Sequence, residues 1–203
     1  MNEIYEHLAV FMDHLPCGYP RTESGVELRI LRKLFTPEEA QLFMHLTLLA
    51  EEPRVIARRA KLPLEVVSPR LEEMEKKGLI YGVHRPGKPT EYLAQQFIVG
   101  FWEGQANRLD REMVEYFEEY FQTFSDPELW RRAPQLRTIP VGESIPIQRE
   151  TMPYELAEKV VGSHSRIAVA NCVCRQTQVA ALCLLMYSNG LNANHGRYSC
   201  PRQ

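Results

Sequence analysis

The sequence predicts a mainly helical α+β protein, and three observations carry that reading. Apolar residues recur at helical spacing over most of the first 125 positions. A single pair of short β-like runs, 79–83 and 90–93, interrupts them. Four of the five cysteines then fall within the last 32 residues, beside a short helix and a strand-like run. At 203 residues the chain can bury a core as one large or two small domains. With 44% hydrophobic and 25% charged residues it has the composition of an ordinary globular protein. A net charge of -2 argues against a strongly basic nucleic-acid or membrane-surface protein. The longest apolar runs, such as Ala180 to Met186, fall far short of the roughly 20 residues that span a bilayer. The first residues are acidic where a signal peptide is basic, so the expected location is cytoplasmic, with no membrane association. In that reducing compartment clustered cysteines favour metal or redox chemistry over structural disulfides.

Residues 3–15 place Ile4, Leu8, Phe11 and Leu15 on one helical face. Pro16, Gly18 and Pro20 end that helix around Cys17, which reads as a packed thiol. A short helix follows from Ser24 to Phe35, with Val26, Ile30, Leu31 and Leu34 apolar. Thr36-Pro37-Glu38-Glu39 is a helix start in which Thr36 caps, Pro37 takes the first position and Glu39 closes a capping box. The helix behind it extends toward Ala50 on a stripe of Ala40, Phe43, Met44, Thr47 and Leu48. Two further helices span Pro53 to Leu62 and Leu64 to Lys77, the second ended by Gly78. Pro69 interrupts the second of these unless the helix begins with Ser68 as its cap. Leu79–Val83 and Thr90–Leu93 read as strands around a Pro-Gly turn.

Helix, helix, longer helix and hairpin is the order of a winged helix-turn-helix, here over about 24–97. The phrase Leu71-Glu72-Glu73-Met74-Glu75-Lys76-Lys77-Gly78-Leu79-Ile80 resembles that fold most. Such a fold serves DNA binding, dimerisation or a purely structural role. Between Glu51 and Glu91 nine Lys/Arg stand against seven Glu, a surplus of only two. Arg58, Arg59, Arg70, Arg85 and Lys88 are the candidate phosphate contacts, while Glu65, Glu72, Glu73 and Glu75 on the presumptive recognition helix oppose them.

Residues 101–125 read as the longest helix. Trp102, Ala106, Leu109, Met113, Phe117, Tyr120 and Phe124 lie on one face, with acids opposite. That face packs either as an ordinary core helix or against a twin subunit in a homodimer. From Glu128 to Glu150 the chain is proline-rich and reads as a linker or edge strands. Pro153 then opens a short helix closed by Gly162, and Arg166 to Asn171 reads as a strand delivering Cys172-Val173-Cys174-Arg175. The expected division is therefore 1–97, 98–127 and 128–203.

Thiolates are soft ligands suited to iron–sulfur clusters and to zinc. Cys172 and Cys174 form the close pair, and Cys200 before Pro201 is a remote candidate with the proline that often follows a cluster cysteine. Arg175 places a cation beside the thiols. Cys183 is either a further ligand or an apolar buried thiol. If Gln176 to Tyr187 is one helix, a rise of ~1.5 Å per residue sets Cys183 on the order of 13 Å from Cys174. Zinc, with Cys172, Cys174, Cys200 and His195 or His164, is the less favoured metal, because Cys-x-Cys is an uncommon zinc spacing.

On Pro153-Tyr154-Glu155, Ile167 to Ala170 and Cys172-Val173-Cys174-Arg175 the chain resembles proteins with a 4Fe–4S-binding, ferredoxin-like domain behind an N-terminal winged helix. The resemblance covers about residues 24 to 181. It implies a 4Fe–4S cluster on Cys172, Cys174, Cys183 and Cys200, serving electron transfer or redox sensing with a redox partner protein. After Ala181 the pattern departs from that family, so its cysteine-rich end is expected to be altered or truncated here. The alternative is a winged-helix DNA-binding regulator whose cysteines are redox-active or remnants. No Gly-rich phosphate loop, Gly-x-Ser-x-Gly or His-Glu-x-x-His motif points to an enzyme.

Overall fold

The computed structural model describes residues 3–124, 126, 154–168 and 171–177. Two compact units make up the chain: Met1–Gln135 together with Cys172–Gln203, and Leu136–Asn171. The first is mainly helical with one two-stranded sheet. Its elements are α1 (Glu3–Asp13), α2 (Val26–Leu34), α3 (Pro37–Phe43), α4 (Pro53–Ala60), α5 (Leu64–Lys76), β1 (Ile80–Val83), β2 (Glu91–Ala94) and α6 (Arg111–Phe124). In the second unit α7 (Tyr154–Gly162) is a helix that leaves Leu156, Val160 and Val161 exposed. Among the described residues no helix is long and apolar enough to cross a membrane.

α1 buries Tyr5, Leu8, Ala9 and Met12. This face is turned from the expected one, because Tyr5 is anchored by its hydroxyl donating to Phe35 O at 2.9 Å. Ile4 and Phe11 flank it, half-buried. α2 supplies Val26, Ile30 and Leu31 to the core. α3 begins in the expected capping box: Glu39 N donates to Thr36 Oγ1 and Thr36 N to Glu39 Oε2. It ends at Phe43, well before Ala50. There the chain turns to pair with the sheet, with Thr47 O accepting from Ala94 N and a bridge joining Glu51 to Tyr92. Phe35, Phe43 and Phe101 meet edge to face at 5.4–5.8 Å, a favourable geometry for aromatic quadrupoles.

α5 runs unbroken through Pro69, contrary to the expectation of a start at Ser68. Pro69 and Glu65 are both exposed, so water can satisfy the Glu65 carbonyl that loses its donor. Val67, Leu71 and Met74 form its buried face. β1 and β2 pair antiparallel with Ile80 opposite Ala94 and Val83 opposite Glu91.

The helix expected over 101–125 is shorter. Ile98, Val99 and Gly100 leave helical geometry, Glu103–Gln105 make one tight turn, and α6 starts at Arg111, where Asp110 Oδ1 accepts Met113 N at 2.8 Å. The break follows from a close approach. The backbone at Gly104 lies against that of Gly78 at the end of α5, a fit that only paired glycines allow. The aromatic face nonetheless closes within the chain. Trp102 stacks on Phe117 at 3.8 Å, and Tyr19, Phe97 and Tyr120 cluster beside them. Trp102, Met113 and Tyr120 are buried by this packing alone, while Phe121 stays exposed.

Candidate metal centre

The cysteine pair is held at the start of the helix described over Val173–Thr177. Cys172 caps it: its carbonyl accepts Gln176 N at 3.0 Å, the first bond of the turn. Val173 and Thr177, four residues apart, face inward. Val173 is 4% exposed and belongs to the hydrophobic core of the first unit. Thr177 Oγ1 donates back to Val173 O at 3.1 Å and Cys174 O at 3.0 Å, which satisfies its buried hydroxyl. With Val173 inside, Cys172, Cys174 and Arg175 are left on the solvent side. The thiols stand out in the sequence by their chemistry, whereas the anchor between them does not. Its signal is the Val173/Thr177 spacing.

The Cys172 thiol lies below its ordinary range. The backbone N–H of Arg175 does most of this, helped by the N–H of Cys174 and the Arg175 guanidinium. Donors aimed at sulfur stabilise a thiolate, the form that ligates a metal.

The strand expected over Arg166–Asn171 is not formed in its described part: Arg166, Ile167 and Ala168 are exposed, irregular chain. No backbone hydrogen bond pairs Arg166, Ile167 or Ala168 with another segment among the described residues. Cys183, Cys200 and His195 lie outside the described residues. His164 is exposed and its Nδ1 meets Val160 O at 2.7 Å. Among the described residues no group of three or more His, Cys, Asp or Glu side chains is assembled for a metal. Cys17 is buried in the core, its N–H donating to Gln96 Oε1.

The five candidate phosphate contacts separate into two kinds. Arg59 is committed within the fold, bridging both oxygens of Glu51 and His45 O. Arg85 pairs with Glu91 across the hairpin. Arg58 and Lys88 are exposed and Arg70 half-buried, and none of the three makes an ion pair among the described residues. On α5, Leu64, Glu65, Val66, Pro69, Glu72, Glu73 and Lys76 are the exposed positions, an apolar surface with three acids against one lysine. Comparison with family models, with curated proteins and with solved structures finds no match for this chain.

Proposed function

We propose that this chain is a non-enzymatic iron–sulfur protein in which Cys172 and Cys174 are ligands of a 4Fe–4S cluster used for electron transfer or redox sensing. The observation that carries this reading is the placement of two exposed thiols on either side of a buried Val173. That arrangement leaves both sulfurs outward from one anchored segment, where ligands to a single group can meet it. The donor set fits as far as it is described: two soft thiols, with backbone N–H groups on one of them to offset thiolate charge. Cys183 and Cys200 complete the proposed set from outside the described residues. Bound there, the cluster would supply a one-electron couple. The residues of this chain hold it, and Arg175 lowers the charge that accumulates on it.

Anaerobic purification, or reconstitution with iron and sulfide, followed by iron and acid-labile sulfide assay tests the proposal. Stoichiometric iron with a visible charge-transfer band is expected, lost in Cys172→Ser and Cys174→Ser and retained in Cys17→Ser. A colourless protein without iron after reconstitution overturns it.

A second reading, a winged-helix DNA-binding regulator, draws support from a separate observation. The bridge Glu51–Tyr92 adds a third strand position to the β1–β2 hairpin, between α3 and the α4–α5 pair. Helix, strand, helix, helix and hairpin is the winged-helix order. Against its use on DNA stand the acidic surface of α5 and the internal pairing of Arg59 and Arg85. Fluorescence anisotropy on random duplex DNA at low salt decides: no binding removes this reading, and binding that weakens in Arg58→Ala and Lys88→Ala supports it.

A further inference from the structure

A cleft of about 550 Å³ opens in the first unit between the end of α2, the end of α5 and the turn leading into α6. Its size is that of a small-molecule site rather than an ion site. Its apolar lining is Leu34, Phe35, Leu79 and Met113; three of these four are buried. The lining also carries four cations, Arg32, Lys33, Lys77 and Arg108, against one carboxylate, Asp110.

These cations are not equivalent. Lys33 is neutralised by Asp110 at 2.7 Å and by Glu112. Lys77 is neutralised by Glu39 at 2.7 Å, with Glu73 at 3.6 Å. Arg32 and Arg108 have no carboxylate within 4.0 Å among the described residues. Arg32 lies over the Tyr5 ring at 6.0 Å, and Arg108 gives one amino group to Lys76 O, leaving the rest of its fork for another acceptor. Two uncompensated guanidinium groups thus border one concave, partly apolar space. Such forks match the oxygens of phosphate and carboxylate, and two of them balance a dianion. Inorganic phosphate alone would leave most of the cleft volume to water.

We propose that this cleft binds a small organic phosphate monoester, its phosphate held by Arg32 and Arg108 and its apolar or aromatic body set against Leu34, Phe35, Leu79 and Met113. The site is independent of the cysteine pair.

Calorimetric titration of the full chain with phenyl phosphate, followed by amide chemical-shift mapping, tests it. Saturable binding is expected, with shifts centred on Leu34, Phe35 and Leu79. Affinity should fall about tenfold or more in Arg32→Ala and in Arg108→Gln, and inorganic phosphate should bind about tenfold more weakly than the ester. Arg54→Ala, on α4 and outside the cleft, should bind as wild type. Arg32 is exposed and unpaired with acid, so its variant tests the site even if Arg108→Gln loosens the end of α5. The proposal is overturned by no saturable binding up to about 10 mM, by equal affinity for inorganic phosphate, or by wild-type affinity in Arg32→Ala.

Discussion

Replacing Gly104 by alanine should destabilise the first unit by about 2–4 kcal/mol. A Cβ at this position would sit 2.9 Å from the Gly78 Cα and closer still to the Gly78 carbonyl oxygen. Ordinary carbon contacts are about 3.5–4.0 Å, and both obstacles are backbone, so the turn has to retreat. Overpacking of this kind costs about 1–3 kcal/mol. Retreat also stretches the bonds that finish α5, from Gln105 Nε2 to Lys77 O at 2.9 Å and from Arg108 to Lys76 O. Each such bond contributes about 0.5–1.5 kcal/mol, and the buried Gln105 amide would keep only its bond to Phe101 O. Two other glycines separate the causes. Gly87 has φ +71° with open space around it, so Gly87→Ala should show only the left-handed penalty of about 1–2 kcal/mol. Gly78 has φ +72° and its Cβ would fall 2.6 Å from Gly104 O, so Gly78→Ala should show both effects. Urea unfolding followed by circular dichroism gives the three values. A cost for Gly104→Ala no greater than that for Gly87→Ala would refute the close approach as its cause.

Trp102→Ala removes the partner stacked on Phe117 and should cost about 3–5 kcal/mol by thermal or urea unfolding; a cost below 1 kcal/mol would mean that the aromatic cluster does not order this region. Glu51 is held below its ordinary value chiefly by hydrogen bonds from Arg59. A depressed carboxylate contributes stability that is present above its unfolded value and lost as pH falls through the folded one. The gap in urea midpoint between wild type and Glu51→Gln should therefore be full at neutral pH and close below about pH 4.5; a gap independent of pH contradicts this. Val173→Asp leaves both thiols in place but puts a charge into the core, so it should lower the iron retained after reconstitution, whereas Val173→Ile should retain it. Equal iron in both variants would remove the anchoring role.

Much of the helical order was legible because its signals are local. Thr36, Pro37 and Glu39 lie within four residues and specify a start whatever surrounds them. The hairpin was equally plain, since alternation and a Pro-Gly turn act over a few residues. Failures gathered where distant segments meet. The expected helices through Ala50 and across 101–110 are interrupted by the Glu51–Tyr92 bridge and by the Gly78–Gly104 approach, each joining residues far apart in sequence. Periodicity cannot register such contacts, because it measures only the pattern along one stretch. Pro69 erred in the other direction. A local breaker was tolerated because solvent could satisfy the carbonyl that it orphaned.

The site divides along the same line. Cys172 and Cys174 stand out in the sequence by chemistry and spacing, and their thiols need no fold to be recognised as ligands. That both face solvent follows from Val173 being taken into a core built from the first 120 residues, which only the assembled structure decides. Charge obeys the same rule. Arg59 and Arg85 count as cations in any composition, yet folding spends them on Glu51 and Glu91, while Arg32 and Arg108 are left facing one cleft. A sequence specifies which charges exist; the through-space distances that pair or expose them are set when the chain folds, because Coulombic and hydrogen-bond energies depend on separation in space.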